Sequence, residues 1–119
     1  MSLVERYAGG RLIKALFWAA ALFALVMALI PNAPGEALLP DKVQHAIAFI
    51  VLGLLGRFAY PRASAAVLVA GLSLFGALIE LAQAMPVIHR DADPLDWLTD
   101  TIACAVIVLA LRWWEARKR

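Results

Sequence analysis

Apolar residues fill four runs, from about Leu12 to Ile30, Lys42 to Tyr60, Ser64 to Ala84 and Leu95 to Trp113, and most polar residues lie between them or at their ends. A bilayer core about 30 Å thick takes about 20 apolar residues of helix, so each run predicts one transmembrane helix. Chain breakers mark the ends: "PNAPG" after the first run, Pro61 after the second and Pro86 after the third. The short connections make successive helices antiparallel neighbours. The expected fold is therefore all-α, a four-transmembrane-helix antiparallel bundle forming a single domain over residues 1–119. Arg6, Arg11 and Lys14 ahead of the first run also suit a signal peptide. That run is long and no clean A-x-A site follows it, so a retained helix is the expectation.

Composition strengthens this picture. Apolar residues make up 64% of the chain and the mean hydropathy is +0.81, whereas soluble domains are about 45–50% apolar. The single cysteine, Cys104, lies in an apolar run and is expected to pack as a small apolar residue. It excludes an intrachain disulfide and a thiolate metal cluster. The Gly-rich phosphate loop, G-x-S-x-G and nucleic-acid modules are all missing from the sequence.

Charge adds an orientation. In a layout with both termini on one side, nine of the eleven Lys/Arg residues fall on that side: Arg6, Arg11, Lys14, Arg57, Arg62, Arg112, Arg117, Lys118 and Arg119. The positive-inside rule makes that side cytoplasmic, N-in/C-in, as in a bacterial-type inner membrane. Only Glu5 and Glu115 join them there. Seven of the nine acids fall on the other side: Glu36, Asp41, Glu80, Asp91, Asp93, Asp96 and Asp100. Tyr60, Trp113 and Trp114 suit a cytoplasmic aromatic belt, and Trp97 the outer one. The basic end "RWWEARKR" reads as a topology anchor against anionic lipid, not as a nucleic-acid surface.

Several outer polar residues have ordinary roles. Asp41 suits an N-cap, with Gln44 completing a capping box. Asp93 suits a second N-cap, with Pro94 at the first helical position and Asp96 at the third. Glu36 and Asp91 suit solvated loops, and Lys42 can snorkel to headgroups. Four residues resist such roles because they lie inside the runs: His45, Glu80, Gln83 and Asp100. Polar groups at depth are costly and usually face the bundle interior with partners. Asp41 and His45, Glu80 and Gln83, and Asp93, Asp96 and Asp100 each share one helix face. Ser73 and Gly76 below Glu80, and Ala103 and Cys104 below Asp100, allow close helix approach. The expectation is a polar pocket at the outer end of three helices.

Three blocks carry a family resemblance: "DKVQHAIAF" from Asp41 to Phe49, "ELAQ" from Glu80 to Gln83, and R-x-x-D-x-x-D-x-x-x-D from Arg90 to Asp100. In order and helical placement they resemble the signature blocks of the VanZ-like family: D-K-x-x-H, then E-x-x-Q, then an Arg, then D-x-x-x-N-x-x-G opening the last helix. The resemblance runs from about Asp41 to Leu109. Asp100 stands where that family usually has Asn, and Ala103 where it usually has Gly. The resemblance implies a small four-helix integral membrane protein, and the family's namesake is associated with low-level resistance to the glycopeptide teicoplanin.

Three functional classes stay open. In the first, the outer site binds, and in one version modifies, a lipid-linked or anionic cell-envelope molecule. Lys42, Arg90, Gln83, Asp41 and Asp96 would bind it, with Glu80 and His45 as acid and base. A divalent cation held by Glu80, Asp96 and Asp100 belongs to this class. Asp41, Glu80, Asp93, Asp96 and Asp100 against Lys42 and Arg90 leave a formal charge of −3, which calls for protons or a cation. In the second, the cluster is a structural knot in a membrane adaptor, with ion pairs such as Lys42–Asp96 and Arg90–Glu80. In the third, it is part of a small proton or cation translocator. The partners these classes name are membrane lipid and a lipid-linked envelope precursor or glycopeptide, with no nucleic acid.

Overall fold

A computed structural model of the chain describes residues 9–30 and 38–118. The described residues are all-helical: α1 (Arg11–Leu29), α2 (Asp41–Ala59), α3 (Ala65–Gln83) and α4 (Pro94–Arg117), with a single 3-10 turn at Pro86–Ile88. All four long helices have the length and apolar composition to cross a membrane. The first three agree with the expected spans to within a residue or so. The fourth continues past Trp113 to Arg117, where Glu115 finds a partner on α2. The breaker "PNAPG", Glu36, the N-terminal Glu5 and Arg6, and the terminal Arg119 lie outside the described residues.

Helix ends follow from local chemistry. Ser64 caps α3, its Oγ accepting from the Val67 N–H at 3.1 Å. Asp93 caps α4 as expected, accepting from the Leu95 N–H at 3.0 Å with Pro94 next. At α2 the expected capping box does not form. Pro40 takes the N-cap position, its carbonyl accepting from the Val43 and Gln44 N–H groups, both at 3.1 Å. Asp41 then falls inside the first turn, and the Gln44 amide donates to the Leu39 carbonyl instead, at 2.9 Å.

Residue contacts show successive helices running antiparallel. Phe17 near the start of α1 meets Gly56 and Tyr60 at the end of α2. Gly76 on α3 meets Asp100 on α4. The most extensive interface, however, joins α2 and α4, which run parallel. Gly53 makes that approach close: a Cβ there would lie 2.5 Å from Ile107 Cγ2.

The burial pattern is inverted relative to a soluble protein. Leu22, Phe23, Leu74, Leu81, Ile102 and Val106 face outward, while Arg57, Gln83, Asp96 and Asp100 are buried. Lipid is as apolar as leucine, so polar groups retreat inward to satisfy one another. Phe49, Leu52, Ile79, Cys104 and Val108 fill the centre of the bundle. The extents of 49 × 25 × 25 Å suit one bundle standing across a bilayer.

Candidate functional site

One end of the bundle collects the expected polar residues. Three elements supply them: the first turn of α2, the last turns of α3, and the loop and first two turns of α4. His45 sits at the centre, its side chain 9% exposed. Its Nδ1 lies 2.7 Å from Asp100 Oδ1, and Asp100 is fully buried. With the carboxylate as acceptor, Nδ1 carries a proton. Nε2 faces Asp41 Oδ2 at 3.7 Å and Asp96 Oδ2 at 3.8 Å.

Lys42 bridges two acids, donating to Asp93 Oδ2 at 2.7 Å and to Asp96 Oδ1 at 3.3 Å. The Lys42–Asp96 pair was expected, and Asp93 is added to it. The ammonium bonded to Asp93 holds that carboxyl below its ordinary value. Asp93 thus does two jobs, capping α4 and anchoring Lys42, where sequence spacing suggested only the first.

Glu80 and Gln83, one turn apart on α3, take separate partners. Glu80 Oε2 accepts the Asp93 backbone N–H at 2.8 Å, and Oε1 is buried with no hydrogen-bond partner among the described residues. Gln83 donates to the Ala28 carbonyl at 2.8 Å, tying α3 to the end of α1. Its Oε1 is also buried without a partner among the described residues.

Arg90 does not pair with Glu80 among the described residues. It donates to the Ile30 carbonyl at 2.7 Å and the Met27 carbonyl at 3.4 Å, and lies 4.0 Å from Asp41. The physical reason is the C-terminus of α1, whose unpaired carbonyls and partial negative charge attract a cation. The expected cation ligands Glu80, Asp96 and Asp100 also do not converge as one set. The side chains whose donor atoms all lie within 4.8 Å of one another are Asp41, His45 and Asp96.

A cavity of about 450 Å³ opens beside this cluster. Its walls are apolar, from Ala20, Phe23 and Ala24 on α1, Ile47 and Ala48 on α2, and Ile79 on α3. Its polar rim is Asp41, Gln44, His45 and Arg90. Lys42, Glu80, Asp96 and Asp100 do not line it.

Two polar features escaped the sequence reading. Ser73 and Thr101 hydroxyls meet at 2.8 Å, and the Trp97 indole N–H donates to Ser73 Oγ at 3.1 Å, so Trp97 bonds α3 within the bundle. At the opposite end, buried Arg57 pairs with Glu115 and donates to the Pro61 carbonyl at 2.8 Å. The available signal was Arg57's position inside "LLGRFAY", together with the single acid in a basic tail. Cys104 is buried as expected, its thiol donating to the Thr101 carbonyl at 3.3 Å.

Comparison with protein-family models, with curated proteins and with solved structures gives no match to this chain.

Proposed function

We propose that the chain is a VanZ-like integral membrane protein of a bacterial-type cytoplasmic membrane, with both termini cytoplasmic, whose polar end faces outward and binds an anionic, lipid-linked envelope molecule. One observation carries the reading: an apolar cavity of about 450 Å³ meets a polar rim of Asp41, Gln44, His45 and Arg90. Such a shape suits a hydrocarbon chain with a headgroup at its mouth, since ligand sites are mostly apolar with a few placed polar groups. Lysine and arginine bias supports the orientation. The VanZ-like resemblance supports the envelope setting and makes teicoplanin sensitivity the phenotype to follow.

Binding is the activity proposed, rather than catalysis. Glu80, the expected acid or base, gives one oxygen to the Asp93 N–H and does not line the cavity. A second reading, the structural knot in an adaptor, draws on the buried His45–Asp100 contact and the Lys42–Asp93–Asp96 bridge.

One experiment separates the two. Ala48→Phe, or Ala24→Phe on the facing helix, fills the cavity and leaves every ion pair of the cluster in place. Native mass spectrometry of the purified protein, with phosphatidylglycerol and a polyprenyl phosphate as probes, is expected to show lipid adducts that fall at least tenfold in either variant. Wild-type protein that retains neither lipid would sink the binding reading and favour the knot. Orientation has its own check. A cysteine at position 91 in a Cys104→Ala background is expected to react with an impermeant reagent from outside intact cells. Labelling only after permeabilisation would reverse the assignment.

A further inference from the structure

The geometry points to a divalent transition-metal site of zinc type formed by His45 Nε2 and the carboxylates of Asp41 and Asp96, with Asp100 orienting the imidazole. Four observations lead there. First, His45 is nine-tenths buried, and its Nε2 has no hydrogen-bond partner among the described residues although two carboxylate oxygens face it. A hydrogen bond would draw such atoms to about 2.7–3.2 Å, yet they stand at 3.7 and 3.8 Å.

Second, this spacing fits an ion. The three donor atoms lie within 4.8 Å of one another. An ion equidistant from atoms so spaced sits about 2.0–2.4 Å from each, and zinc bonds to histidine nitrogen and carboxylate oxygen run about 2.0–2.2 Å. Third, the supporting contacts are those that metal-bound histidines use. The other ring nitrogen donates to a buried carboxylate, Asp100, at 2.7 Å, which fixes the tautomer and ring orientation. Lys42 holds the second oxygen of Asp96 at 3.3 Å, leaving Oδ2 turned towards His45.

Fourth, charge demands a cation: the cluster's five carboxylates exceed its two cations by three. An imidazole nitrogen in the donor set favours a zinc-like ion over calcium or magnesium, which take oxygen ligands. Three protein ligands leave a coordination position open, the arrangement of exchangeable rather than closed zinc sites. A bound dication would also offset two of the three excess negative charges, easing the approach of an anionic headgroup.

The assignment fails separately from the lipid reading, because it is tested with metal alone and no added lipid. Purified protein, stripped with a chelator and titrated with Zn²⁺, is expected to take up one ion per chain by elemental analysis and to gain thermal stability. Co²⁺ in its place is expected to give visible absorption that depends on His45. Asp41→Asn is the informative variant, since Asp41 is half-exposed at the rim and its loss leaves the core intact. Both Asp41→Asn and His45→Gln are expected to weaken binding at least 100-fold. Asp100→Asn should weaken it about 10–100-fold, the usual effect of losing an orienting partner. Asp91→Asn, in the loop, should bind as wild type does. The proposal is overturned if wild type takes up no Zn²⁺ or Co²⁺, if Asp41→Asn binds as tightly as wild type, or if Glu80→Gln abolishes binding while Asp41→Asn does not. The last outcome would move the ion to Glu80, Asp96 and Asp100. A gain of stability on protonation alone, unaffected by metal, would assign the gap to a shared proton instead.

Discussion

At Gly76 a single methyl group would fall on Asp100. A Cβ there would lie 2.8 Å from Asp100 Oδ2 and 3.3 Å from Asp100 Cβ. Asp100 is fully buried and held by His45, so it has little room to give. Gly76→Ala is expected to cost about 1–3 kcal/mol, the range for overpacking a filled site. Gly71, on the same helix, has nothing within 4 Å of where its Cβ would be, so Gly71→Ala should gain up to about 1 kcal/mol from helix propensity. Thermal denaturation in one detergent checks both, and equal shifts would show that Gly76 does not set the Asp100 position. Residues such as His45, Glu80 and Asp100 were legible in the sequence because a charge inside an apolar run is visible in one dimension. Gly53 was not, because its need to be small comes from Ile107, 54 residues further along the chain, and nothing in the local spacing names that neighbour.

The order of two residues separates the starts of α2 and α4. In Asp93–Pro94 the acid precedes the proline, whose missing N–H costs nothing at the first helical position, and the carboxylate caps the helix. In Pro40–Asp41 the proline holds the cap position, and Asp41 is released from capping to face His45 and Arg90. The general capping preference suggested the same role for both acids; the proline's position decided otherwise at one of them. Helix existence and ends were legible because the apolar runs and breakers coincide with them. The functional allocation of each terminal acid was not. Asp93 also carries a pH signature. Its bond from Lys42 lowers its folded-state value below the ordinary 3.8. A depressed carboxyl contributes stability that is present above the ordinary value and is lost as pH falls through the folded one. Asp93→Asn keeps a capping side chain and removes the charge. Wild type should therefore melt higher than Asp93→Asn near neutral pH, with the gap closing once the pH drops below 3.8. A gap that stays constant with pH would show that the Lys42 contact adds nothing.

Across the whole bundle, short connections predicted neighbours in chain order, and those contacts are present. They could not predict that the largest interface would join α2 to α4, which no short connection links. That pair is fastened at both ends, by Lys42 to Asp93 and Asp96 at one and by Arg57 to Glu115 at the other. Every one of those acids belongs to α4 or its cap. During synthesis α2 therefore reaches the bilayer with Lys42 and Arg57 before their counter-charges exist, a costly state for charges within a span. The last helix thus acts as a completeness check on the second. A chain stopped before Pro94 is expected to be degraded, accumulating at least about tenfold less than the full chain, because unpaired intramembrane charge is the penalty that remains. Supplying α4 as a separate segment should rescue it, whereas equal accumulation of the truncated chain without α4 would show that α2 does not wait for its partner.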